Sequence, residues 1–212
     1  MNKITLSIIA FLLFFNVSQT RIFAQNEISH TECFNSIKEK YNKINAISFK
    51  FTSADNPDFR GTLSAESSNK YRLDLKNRTI VSNGKTLWNF DKTTNKVVIT
   101  SIDESDAGSG HIQTFFFGFI SQFQSTELKT EISAKGGTRS YTLYLDAKNP
   151  QKSDIKKAIL SLNPKTLGIN AVQVLSDGKW QKWEIRDIKL NKVVGAKYEF
   201  TPPEDAQIID MR

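Results

Sequence analysis

The sequence predicts a mainly β protein with a small helical part, built as an antiparallel meander. Three observations carry this. Apolar and polar residues alternate along many short stretches, the period of a strand with one face buried and one wet. Turn signals separate the stretches, at Asn83-Gly84, Gly136-Gly137, Asn163-Pro164 with Leu167-Gly168, and Asp177-Gly178. Only Glu27–Ile44 has the three- and four-residue apolar spacing of an amphipathic helix, so the β-α-β alternation of a parallel sheet is absent.

The chain begins MNKITLSIIAFLLFFNVSQTRIFAQ. Lys3 supplies a positive start, Ile4–Phe15 is a nearly unbroken apolar run, and Ile22 and Ala24 sit where a signal peptidase reads small or apolar residues. This predicts a secretory signal peptide over 1–25, cleaved near Ala24 or Gln25. The run is about a dozen residues, short of the ~20 that cross a bilayer. No cysteine follows the cleavage point, so a lipid anchor is not expected. Residues 26–212 then suit one domain with a core of its own.

The elements follow in order. Ile28, Cys33, Phe34, Ile37, Tyr41 and Ile44 line one side of the predicted helix. Cys33 is the only cysteine, so no disulfide within the chain can brace the fold. Period two then takes over in AISFKFTS (Ile47, Phe49, Phe51), KYRLDLK (Tyr71, Leu73, Leu75) and SYTLYLD (Tyr141, Leu143, Leu145). Further strands are predicted at Lys96–Ile102, Ala158–Leu162, Ile169–Leu175, Trp180–Leu190 and Lys197–Phe200. His111–Phe123, HIQTFFFGFISQF, breaks the pattern after the polar stretch Asp103–Gly110. It reads as a short buried helix or helical turns laid on the sheet.

The hairpin IVSNGKTLWNF places Asn83-Gly84 at a two-residue turn, with Ser82 facing Lys85 and Val81 facing Thr86. Val81, Trp88 and Phe90 then share one face, and Ile80 and Leu87 the other. Both faces of this hairpin are apolar. A wide sheet with an aromatic-rich face must cover it. Either the helix and the Phe-rich segment pack that face fully, or part of it remains a cavity for a greasy ligand.

The formal net charge is +7. This suits an anionic membrane surface or an acidic partner and is also common in ordinary proteins. No aromatic–basic interleaving indicates nucleic acid. His30 and His111 are the two histidines, and neither stands in a nucleophile signature. No metal-ligand spacing, phosphate-binding loop or dinucleotide fingerprint is present. Asp103, Glu104 and Asp106 lack the pattern of a calcium loop. No catalytic residue, metal or cofactor is expected.

One stretch is more specific. KYRLDLKNRTIVSNGKTLWNFDKTTNKVVIT, Lys70–Thr100, resembles the signature region of the LolA family, periplasmic carriers of lipoproteins in bacteria with two membranes. YEFTPPEDAQIIDMR, Tyr198–Arg212, resembles the family's ending, an aromatic step, paired prolines and a final short strand. FKFTSADNPDFRGTLSAES fits between the helix and the signature. The resemblance implies an incomplete, curved antiparallel β-barrel covered by a helical lid enclosing an apolar cavity. It implies a soluble, monomeric periplasmic carrier that takes up the acyl chains of lipoproteins and shuttles them from inner to outer membrane. The implied partners are acylated lipoproteins, an inner-membrane lipoprotein-releasing ABC transporter and an outer-membrane acceptor. Cavity-lining candidates are Phe49, Phe51, Tyr71, Leu73, Trp88, Phe90, Phe115, Phe116, Phe119, Leu143, Trp183 and Ile185, with Trp88 and Phe90 lining the cavity or bracing its wall. The family's lid arginine falls near Ser67 here, so that role is not transferred. The competing readings are a carrier of another lipid or glycolipid and an envelope lipid hydrolase built around a histidine.

Overall fold

Ser29 starts the helix. In the computed structural model, which describes residues 28–102, 119–132, 138–192 and 197–212, its side chain accepts a hydrogen bond from the Glu32 N–H. The Glu32 carboxylate accepts in turn from the Ser29 N–H at 3.0 Å. This reciprocal cap satisfies two N–H groups that the first turn leaves orphaned. It sets helix α1 at His30–Asn42, shorter than the periodicity suggests at both ends. Cys33, Phe34, Ile37 and Tyr41 form its buried stripe, while Ile28 and Ile44 fall outside the helix and still pack against the core.

Twelve strands are described: β1 Ala46–Ser53, β2 Arg60–Glu66, β3 Lys70–Leu75, β4 Arg78–Asn83, β5 Thr86–Asp91, β6 Lys96–Ser101, β7 Phe123–Ile132, β8 Thr138–Ala147, β9 Ile155–Leu162, β10 Ile169–Ser176, β11 Lys179–Leu190 and β12 Gln207–Asp210. They form one sheet in the order β12-β6-β5-β4-β3-β2-β1-β11-β10-β9-β8-β7. Two meanders, β1–β6 and β7–β11, are welded along β1 and β11. The sheet is curved and unclosed, with β12 and β7 as its two edges. Part of the curvature has a local cause. The β1–β11 register slips by one residue between Ser48 and Lys50, and Asp187 takes φ 56° there. Such a bulge bends a strand and raises its twist. Lys50 holds the Asp187 carboxylate at 2.8 Å.

Several expectations change. β12 pairs parallel with β6, so the meander is antiparallel except at this edge. Lys197–Phe200 is extended but joins no ladder. β2 and β7 are strands that alternation alone did not mark. β7 is an edge strand whose QSTELKTE centre presents few apolar residues. Of the Phe-rich segment, 111–118 lies outside the described residues, Phe119–Gln122 is a 3-10 turn, and Phe123 already opens β7.

The β4–β5 hairpin is also wider than expected. Ser82 faces Leu87, Val81 faces Trp88 and Thr79 faces Phe90. Only Gly84 has positive φ, at 93°. Asn83 instead turns the chain with its side chain, accepting from the N–H groups of Lys85 at 3.0 Å and Thr86 at 2.8 Å. The shift is two residues, so every side chain keeps its predicted face. The Asp177-Gly178 turn does have two central residues with positive φ, as expected.

Candidate functional site

The register fixes which side chains share a face, because directly opposed residues in a ladder point the same way. One row runs Phe49, Leu63, Leu73, Ile80, Asn89, Val98 across β1 to β6. A second runs Leu128, Leu143, Leu160, Val172, Trp183 across β7 to β11. Phe51 pairs with Ile185, which places Ile185 and Trp183 on the same side as Phe49. This is the inner face, where α1 lies.

Around α1 the inner face is packed, most fully on β1, β2, β8 and β9. α1 contributes Cys33, Phe34, Ile37 and Tyr41, and the sheet answers with Phe49, Leu63, Phe123, Leu143, Leu145, Leu160 and Leu162. Phe49 is 6% exposed and Leu143 0%. Phe51, Tyr71, Leu73, Trp183 and Ile185 are half-buried and pack against this cluster. Phe51 meets Phe49 edge-on, with centroids 6.4 Å apart, and Phe59 beyond it at 6.1 Å. Further along, on β4–β6, the inner face carries Ile80, Leu87 and Val98. These are half-buried and belong to no cluster of buried residues around α1. The apolar lining therefore runs on past the packed core.

Trp88 and Phe90 need correction as lining candidates. They stand one residue out of phase with Asn89, so they point to the outer face. There they meet a second, smaller core. Val81 and Val97 are 0% exposed, Thr79 is 3% and Ile99 is 6%. The segment from Lys197 to Ala206, which turns at Pro203–Ala206, runs over this surface, with Phe200 against Phe90 at 5.5 Å. Asn83 donates to Glu199 at 3.0 Å, and the Asn95 side chain donates to the Asp205 carbonyl at 3.1 Å. Burial and the neighbouring Glu66 push the Tyr198 phenol far up. Trp88 and Phe90 thus stand on the face opposite Ile80, Asn89 and Val98. Phe115 and Phe116 lie outside the described residues, as does the side chain of Phe119.

The residues that sequence reasoning passed over are Ile80, Leu87 and Val98. The signal was present, since Ile80 and Leu87 share the face opposite Trp88. Aromatic size drew attention to the outer side of the hairpin.

The polar side chains on the inner side include Asn89, in the first row, and Thr100, opposite Leu87, both half-buried. Ser82 is fully buried, donates to the Asn69 carbonyl at 2.5 Å and accepts from the Gly84 N–H. The Tyr41 hydroxyl lies near the Ile169 backbone but without the alignment of a hydrogen bond, and burial raises its pKa. Burial alone lifts the Tyr71 phenol and pushes the Cys33 thiol up to about 11. His30 shares a hydrogen bond of 3.0 Å with the Ser125 hydroxyl and ties the start of α1 to β7. Among the described residues no group of three or more His, Cys, Asp or Glu side chains could hold a metal ion. No described helix is long and apolar enough to cross a membrane. A cleft of about 490 Å³ opens beside Asn56, Asp58, Phe59, Lys76, Asn77, Lys92 and Thr93; all but Phe59 are polar or charged residues, a set that suits no acyl chain.

The described chain is a curved, unclosed sheet, antiparallel except at β12, with one helix on its apolar inner face. The profile of the outer membrane lipoprotein carrier protein LolA matches residues 42–201, and the chain belongs to the LolA family. Comparison with curated proteins gave no match. Among solved structures, an uncharacterized conserved protein from Thermus thermophilus is similar at 13% identity, over 84% of this chain and 96% of its own, with a TM-score of 0.48. LprF from Mycobacterium bovis is similar at 8% identity, over 84% and 97%, with a TM-score of 0.47. The LolA superfamily protein NE2245 from Nitrosomonas europaea is similar at 14% identity, over 79% and 96%, with a TM-score of 0.35.

Proposed function

We propose that this protein is an exported periplasmic carrier that shields the acyl chains of lipoproteins on the inner face of its sheet. Its export would follow cleavage of the 1–25 leader, leaving one carrier domain, which acts as a monomer. The observation that carries the reading is the apolar inner face of β3–β6. From Leu73, which packs against the core, the lining continues through Ile80, Leu87 and Val98, which do not. An acyl chain gains about 0.8 kcal/mol for each CH₂ it buries. Carriage needs a dry surface and no reacting group. An inner-membrane lipoprotein-releasing transporter would load it, and an outer-membrane acceptor would unload it.

The test is to purify the protein from its native periplasm and identify what accompanies it by native mass spectrometry. An acylated lipoprotein supports the reading. Another lipid or a glycolipid keeps the carrier and changes its cargo. An empty protein that also releases no lipoprotein from spheroplasts overturns it. A hydrolase would be built around His30 or His111; His30 bonds to Ser125 with no carboxylate bonded to it among the described residues, and His111 lies outside them. Replacing both histidines by Ala leaves carriage unchanged if the protein is a carrier.

A further inference from the structure

The shielding of an acyl chain makes no use of the polar cleft beside Phe59. Three hairpin links meet there at one end of the sheet: 54–59 between β1 and β2, 76–77 between β3 and β4, and 92–95 between β5 and β6. The cleft's volume of about 490 Å³ falls within the ~300–1,000 Å³ of small-molecule sites. Backbone hydrogen bonds fix the links that form it. The Ser53 N–H donates to the Phe59 carbonyl at 2.9 Å, and the Phe59 N–H to the Asn56 carbonyl at 2.8 Å. The Lys92 N–H donates to the Asn77 carbonyl at 2.9 Å and ties the second link to the third.

Phe59 lines the cleft and is 45% exposed, although its ring is apolar. Phe51, on the inner face, supports that ring from 6.1 Å, tilted by 53°. Around the ring stand groups that can both give and take hydrogen bonds. The Asn77 side-chain amide has no hydrogen-bond partner among the described residues. Asn56 spends its Oδ1 on the Asp58 N–H at 3.2 Å, and its Nδ2 has no acceptor among them. Lys76 and the Asp58 carboxylate stand 3.6 Å apart and exposed, a donor beside an acceptor. The Thr93 hydroxyl donates to Asp91 and can still accept.

We propose that this cleft binds a saccharide. A sugar ring has an apolar C–H face and a rim of hydroxyls, each both donor and acceptor. The Phe59 ring covers such a face, and the Asn77 amide and the Lys76–Asp58 pair each offer a donor beside an acceptor to neighbouring hydroxyls. Other ligands leave part of the set unused. An acyl chain leaves the amides unpaired. A small anion leaves the ring uncovered and meets both signs of charge: Lys76 and Lys92 line the cleft with Asp58, and Asp55, Arg60, Arg78, Asp91 and Lys96 adjoin them. An extended peptide adds to a free strand edge, whereas β1 to β6 are paired on both sides. The inference goes beyond the carrier reading and stands without it. The saccharide is either free or the head of a lipid whose chain lies on the inner face, which Phe51 joins to the cleft.

The test is NMR titration of the isotope-labelled mature protein with methyl β-glucoside, octyl β-glucoside below its micelle concentration, and N,N′-diacetylchitobiose. Amide signals of 54–59, 76–77 and 92–95 should shift, with dissociation constants in the millimolar range. Asn77→Ala should weaken binding about five-fold. Phe59→Ala should weaken it about ten-fold. Trp180→Ala, at an exposed aromatic outside the cleft, should leave binding at the parent's level. If the saccharide is a lipid head, octyl glucoside also shifts Ile80, Leu87 and Val98; if it is free, both glucosides shift the cleft alike and the inner face stays silent. Either pattern upholds the site. Three results overturn it: no cleft shift with any of the three sugars, shifts that Phe59→Ala and Asn77→Ala leave unchanged, or an equal loss from Trp180→Ala. The first, together with shifts on adding a short polar peptide, would assign the cleft to a peptide. Asn77 is exposed with an unpaired side chain, so its variant keeps the fold, and circular dichroism checks each one.

Discussion

Cys33 shows how one position can look chemical and be structural. A chain with one thiol invites a redox or nucleophilic role. Its side chain is 0% exposed against the sheet, and burial raises its pKa to about 11, so thiolate is scarce at neutral pH. The folded protein should react with a thiol reagent at pH 8 only after denaturant is added; full reaction within minutes in buffer would show that α1 opens readily. Asp91 makes the opposite case on the surface. The Thr93 hydroxyl, the Thr93 and Thr94 N–H groups and Arg78 hold its carboxyl at about 2, against an ordinary 3.8. A depressed carboxyl stabilises the fold above its unfolded pKa and loses that effect as pH falls through the folded one. The deficit of Asp91→Ala in thermal melts should therefore be full above about pH 4 and vanish near pH 2. A deficit constant with pH would mean the turn acts through its shape alone.

At the scale of elements, the helix cap and one glycine carry specific expectations. Ser29→Ala removes an acceptor for the Glu32 N–H and should cost about 1 kcal/mol in urea unfolding. The helix lies over the packed half of the inner face, so the loss appears in global stability. Gly61 sits where a Cβ would come within 2.4 Å of the Asp74 carbonyl oxygen and 3.1 Å of the Phe51 ring. Gly61→Ala should destabilise by more than the ~1 kcal/mol that the added Cβ itself would be worth in an open strand, because β2 and β3 must separate locally. An unchanged midpoint would show that β3 gives way freely there.

For the whole molecule, the two faces of β4–β6 separate function from stability. Ile80→Asp and Leu87→Asp, on the inner face, should cut the binding of a fluorescent acyl probe at least ten-fold, by roughly 1.4 kcal/mol or more, with modest loss of stability. Trp88→Ala, on the outer face beside Val81 and Ile99, should destabilise the fold by roughly 3 kcal/mol in thermal melts, while the remaining folded protein binds the probe normally. The reverse pattern would place the lipid surface on the outer face. The same comparison explains why the second core exists. α1 packs on the other part of the inner face, and Val81, Val97, Ile99 and Phe90 pack behind β4–β6.

What the sequence determined by itself was everything that rests on near neighbours in the chain. The periodicities of α1, β1, β3 and β8, the Ser29–Glu32 spacing and the Asp177-Gly178 turn are local, and so is the signature around Lys70–Thr100 that marks the family. The face of each hairpin residue was also legible, because a register error of two residues preserves it. Tertiary structure decided what depends on partners far along the chain. Nothing near β1 announces that β11, distant in sequence, pairs with it, or that Asp187 bulges there. Nothing near Phe90 announces that residues 197–206 return to cover it. Whether an aromatic side chain lines a cavity or braces its wall depends on which segment arrives on each face, and alternation along one strand gives the faces without naming their occupants.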